Sequence, residues 1–243
     1  CEIFEHLPLD GLAVLNGDDP LLNTVALPQT VLRCGRGEGC QIRVTDVDDR
    51  GIEGVSCTVT TAKGSYRLHT ASPGAYMIYP MAMAAAIGEV LGLTAAEITA
   101  GVASYVPTGS RMRVLHLPEG RLLIDDCYNA NPVSMKASID VLAAAPGRKI
   151  AVLGDMGELG ENEIALHEEV GTHAAQCGID VCICVGALSV HMAEAARKAD
   201  QEFKVIYEES RESLLEHLGD LVLAFVGRGL ADLGLCARAQ ALG

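Results

Sequence analysis

The 243-residue sequence predicts an α/β protein of two units, the second a Rossmann-like domain with a mostly parallel sheet. Three observations carry that prediction. Beyond residue 108, short apolar runs alternate with helix-length segments, the pattern of strands joined by crossover helices. Between residues 30 and 70 the chain instead alternates β-branched with polar residues, and Asp49-Arg50-Gly51 and Lys63-Gly64 mark turns, which predicts an antiparallel meander or hairpins. The junction Val106-Pro107-Thr108-Gly109-Ser110 is rich in breakers of regular structure and reads as a hinge.

In the first unit, residues 1–107, Ala13 to Asn16 is a short apolar strand closed by the turn Gly17-Asp18-Asp19-Pro20. After the meander, Pro73-Gly74 breaks the pattern. Met81 to Leu91 is an Ala-rich helix stopped by Gly92, and Thr94 opens a second helix with Glu97 completing a capping box, to end near Tyr105. In the second unit, residues 108–243, strands are expected at 113–117, 121–126, 149–153, 180–185, 203–207 and 220–225. Helices are expected near 132–145, 161–177, 187–199, 210–218 and 229–241.

The segment Arg121 to Pro146 shows how that unit works. An apolar strand (Leu122, Leu123, Ile124) ends in Asp125 and Asp126, passes through a polar turn (Tyr128, Asn129, Asn131) and enters a helix at Pro132. Proline at the first helical position costs no hydrogen bond, and Asn131 before it is suited to N-cap. Met135, Ile139 and Leu142 recur at helical spacing. Polar groups at the carboxyl end of a strand, beside a helix N-terminus, are where open α/β sheets bind ligands.

Hydrophobic residues make up 49% of the chain, enough for a real core, and the formal net charge is −14. That charge excludes nucleic acid and anionic membrane surfaces as general partners, since both need a cationic face. No apolar run reaches the roughly 18–20 residues of a membrane span, and the opening CEIFEHLPLDG lacks a leader's basic start, so a cytoplasmic protein without membrane insertion is expected. Cys34 and Cys40 flank Gly35 to Gly39 (GRGEG), and Cys182 and Cys184 share one face of a strand. Without a CxxC pattern these read as structural thiols, and no metal site is expected. Nine cysteines, an odd count, suit a reducing compartment.

Gly154 to Gly160, GDMGELG, follows a strand and precedes a helix, the setting of a phosphate-binding turn. Its spacing is not G-x-G-x-x-G, and Asp155 and Glu158 would repel a pyrophosphate, so a tight βα turn is the simpler reading. No Walker motif occurs in the 243 residues. Asp125 and Asp126, adjacent in a strand, face opposite ways and make a poor acid/base pair. Asn131 is open between helix cap and ligand contact. Arg111 beside the hinge is either a surface charge or a fork for a phosphate. His167 lies just beyond the apolar positions of its helix, where a boundary residue satisfied by a neighbour is expected ahead of a catalytic one.

IDDCYNANPVSM at 124–135, together with PGRKIAVLGDMGELGENEIALHEEVG at 146–171, resembles the Mur ligase family. VLNGDDP at 14–20, SPG with the Ala-rich helix at 72–91, LGLTAAEITAG at 91–101 and PTGSRMRV at 107–114 support the likeness. The YNANP turn and GDM-x-ELG-x(6)-H point to the branch that joins D-alanyl-D-alanine to UDP-N-acetylmuramoyl-tripeptide. The resemblance implies the last part of a central ATPase domain (strands or hairpins plus two helices) at 1–107, then the family's Rossmann-like C-terminal domain at 108–243.

It also implies ATP and Mg2+ as cofactors, those two compounds as substrates, and an acyl-phosphate intermediate. Arg111 would contact ATP phosphate and Asp126 the ribose, while Tyr128, Asn129 and Asn131 would line the nucleotide or the incoming dipeptide. Asp155, Glu158, His167 and Arg228 are its candidate substrate contacts. The family's P-loop and its carbamylated lysine would lie upstream of Cys1, so the 243 residues alone are expected to be inactive; a monomer is expected. Tyr76 and Pro80 stand where the family has His and Asn near the adenine. After Leu223 the family pattern survives only at Arg228 and Gly229, and a drifted or frame-shifted terminus is expected. The alternatives are a sibling ligase adding a single amino acid and, from another class, a dinucleotide-binding oxidoreductase.

Overall fold

The computed structural model describes residues 2–217 and 232–237. The chain divides into two compact units, Cys1–Val106 and Pro107–Gly243.

The first unit is built on one five-stranded sheet, with β1 (Leu12–Asn16), β2 (Thr30–Gly35), β3 (Ile42–Asp49), β4 (Val55–Thr61) and β5 (Gly64–Thr70) adjacent in that order. From β3 to β5 it is the expected antiparallel meander. β1, β2 and β3, however, pair in parallel, which corrects the reading of the whole 30–70 stretch as hairpins. Residues 17–29 supply the dozen or so residues a parallel return needs. β2 and β3 touch only at Cys34↔Ile42 and Gly35↔Arg43, so the short link between them closes no hairpin.

Helix α1 (Ile78–Val90) lies on this sheet, and its Ala82, Ala85 and Ala86 pack beside Val44, Val55, Val59 and Leu68 in one core. Small side chains on that stripe let helix and sheet approach closely. Pro80 sits in the first helical turn, where its missing N–H leaves no bond broken. Gly92, at φ +83°, ends the helix: its N–H donates to Glu89 O (3.1 Å) and Leu93 N–H donates to Gly88 O (2.9 Å). That pair of bonds is the Schellman geometry. α2 (Ala95–Ala103) opens with the expected reciprocal box between Thr94 and Glu97.

Asp18, in the turn after β1, gathers the loop after β2. Its carboxylate accepts the Arg36 N–H (2.7 Å), the Gly37 N–H (2.9 Å) and the Tyr79 hydroxyl (3.1 Å). A Cβ at Gly35 would lie 2.7 Å from that carboxylate, so the approach requires glycine. Burial alone would push the Asp18 carboxyl up, but the two N–H donors, Tyr79 and the Arg36 charge together hold it below its ordinary value.

Among its described residues the second unit carries a six-stranded sheet of β6 (Arg113–His116), β7 (Leu122–Asp125), β8 (Arg148–Gly154), β9 (Val181–Val185), β10 (Lys204–Glu208) and β11 (Asp232–Ala237). Their spatial order is β10-β9-β8-β11-β7-β6, parallel throughout except for β6 against β7. α3 (Pro132–Ala144), α4 (Glu163–Gln176) and α5 (Ser189–Ala199) connect the strands, and residues 211–217 are helical. Cys182 and Cys184 are buried on one face of β9 with their sulfurs 3.6 Å apart.

β11 corrects the helix expected at 229–241. Leu233-Gly234-Leu235-Cys236-Ala237 is a short apolar run, and such a run in a central parallel strand cannot be told from buried helix by periodicity. Its pairing with β7 on one side and β8 on the other makes it a strand. The strand expected at 220–225 and Arg228 lie outside the described residues. Among the described residues, no helix is long and apolar enough to cross a membrane.

Candidate functional site

The turn that follows β7 is stitched to the segment that enters β6. Asp126 accepts the Met112 N–H at 2.9 Å through one carboxylate oxygen and the Ser138 hydroxyl of α3 through the other. Tyr128 N–H donates to Ser110 O at 3.0 Å. Met112 is buried and takes φ +48°, a left-handed conformation rare for a residue with a side chain, and the Asp126 bond helps hold it there. With residues 110–112 so fixed, the Arg111 guanidinium lies 4.2 Å from the centre of the Tyr128 ring. A cation over an aromatic face at this distance is attractive and pre-orients the fork.

Asn131 caps α3: its side chain accepts the Ser134 N–H at 2.9 Å while Ser134 Oγ accepts the Asn131 N–H at 3.2 Å. The helix therefore begins on this turn and turns the positive end of its dipole toward it. Asn129 and Tyr128 are exposed, Tyr128 at 59%. Among the described residues no carboxylate pairs with Arg111. The structure thus brings Arg111, Asp126, Tyr128, Asn129 and Asn131 onto one surface, where Arg111, Tyr128 and Asn129 face solvent and Asp126 and Asn131 hold the shape. An exposed guanidinium fork beside a helix N-terminus suits a phosphate, and the open Tyr128 ring suits a planar group.

The GDMGELG turn after β8 is arranged inward. Asp155 accepts both the N–H (2.7 Å) and the hydroxyl (2.6 Å) of Ser189, so it anchors the start of α5. Gly186 passes so close that a Cβ would sit 2.4 Å from Asp155 Oδ1. His167 is fully buried. Its Nε2 accepts the Met156 N–H at 3.0 Å, which places the ring proton on Nδ1, where it donates to Glu163 O at 2.7 Å. Glu158 is exposed and takes φ +59°, a conformation usually left to glycine. A turn that commits an N–H to His167 and carries the Asp155 carboxylate is a poor pyrophosphate cradle, so the tight βα turn is what the geometry supports.

Three residues that shape these sites escaped the sequence reading: Met112, Ser138 and Ser189. Ser138 left a signal, because it interrupts the buried stripe of Met135, Ile139 and Leu142. A buried hydroxyl on an apolar face needs a partner, and Asp126 supplies it. In the first unit Pro80 lines an apolar cavity of about 280 Å³ with Met77, Met81, Val102 and Tyr105. Tyr76 lies in the short helical turn before α1.

Residues 110–225 match the family described as Mur ligase, glutamate ligase domain. The chain belongs to the Mur ligase family. Within it, the chain is 35% identical over 206 residues to the UDP-N-acetylmuramoyl-tripeptide–D-alanyl-D-alanine ligase of Escherichia coli K12, covering 83% of this chain and 45% of that one. The crystal structure of MurF from Acinetobacter baumannii shares the fold, with a TM-score of 0.82 at 24% identity over 98% of this chain and 51% of that one. MurF ligase from Thermotoga maritima, solved in complex with ADP, matches at a TM-score of 0.74 and 25% identity over 98% and 52%. The chain spans about half the length of the curated relatives it matches.

Proposed function

We propose that this chain forms part of an ATP-dependent ligase that joins D-alanyl-D-alanine to UDP-N-acetylmuramoyl-tripeptide in the making of peptidoglycan precursors. One observation carries the reading: the likeness to a ligase of that name extends over 206 residues, more than either unit contains. In the same proposal residues 1–107 are the end of the central ATP-binding domain and 108–243 the C-terminal domain. The setting is the cytoplasm, where ATP is available, and the protein acts as a monomer.

The chemistry asks for what the site offers. A carboxylate is a poor electrophile, and transfer of a phosphoryl group from ATP turns it into an acyl phosphate that an amine can attack. Catalysis of such transfer is mostly positioning and neutralisation of phosphate charge. Arg111, pre-oriented on Tyr128, is proposed to fork onto ATP phosphate. Asp126 keeps unshared lone pairs for a ribose hydroxyl while it holds Met112 and Ser138. Tyr128 and Asn129 line the nucleotide or dipeptide, and Asn131 sets the helix start beneath them. Asp155 and His167 act by fixing their turn, with Glu158 as its exposed contact. Mg2+ belongs to the proposal as the ion that neutralises the phosphates when bound.

The test is ADP release by the protein made from its complete reading frame, with the tripeptide and either D-alanyl-D-alanine or single amino acids. Release that depends on the dipeptide is expected. Release with a single amino acid instead would assign the chain to a sibling ligase, and NAD binding without ATP binding would overturn the ligase reading altogether.

A further inference from the structure

α3 and α4 are joined on their outer surface by a ladder of polar pairs. Lys136 pairs with Glu169, and one turn further on Asp140 pairs with His173. A third residue joins the second rung, because Cys177 stands four residues beyond His173, on the same helix face. Asp140 Oδ1 lies 2.7 Å from His173 Nε2 and 3.5 Å from Cys177 Sγ, and Sγ lies 3.3 Å from Nε2. The three atoms, a carboxylate oxygen, an imidazole nitrogen and a thiol sulfur, all lie within 4.8 Å of one another.

These spacings can be compared with those a metal would impose. Bond lengths of about 2.0 Å to oxygen and nitrogen and about 2.3 Å to sulfur, at tetrahedral angles, separate the ligand atoms by about 3.3 Å (O to N) and about 3.5 Å (to S). The two sulfur distances already fall within about 0.3 Å of that. Only the oxygen to nitrogen edge must open, by about 0.6 Å, and it is held short by a hydrogen bond that a metal would replace. Asp140 is 59% exposed in its side chain and His173 28%, so an ion reaches the three atoms from solvent without rearrangement of the helices.

We propose that Asp140, His173 and Cys177 form a binding site for a borderline divalent cation of the zinc class, clipping α3 to α4. The donor set selects the class: a thiolate and an imidazole favour zinc or cobalt over magnesium or calcium, which take oxygen ligands. Two anionic ligands and one neutral one balance a dication. On binding, the Cys177 S–H bond is replaced by a sulfur to metal bond and its proton leaves to solvent. His173 gives up the Nε2 proton that it donates to Asp140 and takes one from solvent on Nδ1, so that the neutral ring presents a free Nε2 to the metal, and water completes the fourth position. Without the ion, burial and the hydrogen bond to Asp140 push the Cys177 thiol up to about 11, so it is no free nucleophile. The site lies on the flank of the two helices that begin at the Asn131 cap and carry His167, so its occupancy would stiffen the scaffold beneath both turns.

Titration of the metal-stripped protein with Co2+, a coloured stand-in for Zn2+, reads the site directly. One Co2+ per chain is expected, with visible bands of tetrahedral form and a near-ultraviolet band from sulfur to cobalt charge transfer, all removed by added Zn2+. Cys177→Ser should abolish the near-ultraviolet band, while Cys40→Ser leaves it intact. Asp140→Asn and His173→Gln, both at the surface and checked for native circular dichroism, should each weaken binding by about tenfold or more. Absence of the band in the unaltered protein, its survival in Cys177→Ser, or unchanged affinity in Asp140→Asn and His173→Gln would overturn the proposal.

Discussion

His167 accepts the Met156 N–H through Nε2 at 3.0 Å, and this bond ties helix α4 to the turn that precedes it. The ring is buried and its other nitrogen is engaged by Glu163 O, so the imidazole works as a clasp for the GDMGELG turn. His167→Ala removes the ring and orphans a buried N–H. The expected loss is about 3 kcal/mol of unfolding free energy, from the cavity and the unpaired donor together. Urea denaturation measures it, and a loss below about 0.5 kcal/mol would show that the clasp holds nothing.

Arg111 is expected to act on the nucleotide. In the complete protein, Arg111→Ala should lower kcat/KM for ATP by about 10- to 100-fold, equivalent to about 1.4–2.8 kcal/mol for a lost charge-assisted contact. Arg111→Lys should restore only part, because an ammonium neither forks onto a phosphate nor stacks on Tyr128 as a planar guanidinium does. Initial-rate measurements at varied ATP decide it; equal rates for all three proteins would remove Arg111 from the site.

Two helical glycines should respond to alanine with opposite signs. At Gly171 in α4 an added Cβ would lie 2.0 Å from the Met192 carbonyl oxygen of α5, so Gly171→Ala must force the two helices apart, at a cost of about 1–3 kcal/mol or more. Nothing lies within 4 Å of a Cβ at Gly101 in α2. There alanine should add up to about 1 kcal/mol through helix propensity alone. Thermal unfolding of the pair gives the comparison, and equal shifts would contradict the packing described for α4 and α5.

Asp18 makes the first unit acid-sensitive in a definite direction. Its carboxyl is held below the ordinary value of 3.8 in the folded chain, so its stabilisation is full above that value and is lost as pH falls through the lowered one. Asp18→Asn should therefore be less stable than the parent at neutral pH, and the gap should shrink as the pH drops below about 4. Denaturation at a series of pH values checks this, and a gap that widens in acid would reverse the sign.

The features legible in sequence are those whose partners lie close along the chain. The Thr94–Glu97 box, the Gly92 stop and the Asn131 cap each close within a few residues, and local chemistry specifies them. The parallel pairing of β1 with β2 is a choice between two strands' neighbours, which alternation does not encode. In the turn after β7, the Asn131 cap was readable from sequence. The double duty of Asp126 was not, because its partners sit 14 residues upstream and 12 downstream. Asp140 and His173 are 33 residues apart, and a search for closely spaced cysteines passes over them.

The place of β11 between β7 and β8 bears on how the sheet closes. β7 and β8 are consecutive in the chain yet do not pair, and the gap between them is filled by a strand translated more than 75 residues after β8 ends. Without that strand β7 and β8 would each present an open edge, and the sheet would fall into two halves, β6 with β7 and β8 with β9 and β10. Each such edge is a template for a wrong strand. Pairing of Asp232–Ala237 with both neighbours covers the two edges at once, so this one strand joins the halves into a single sheet.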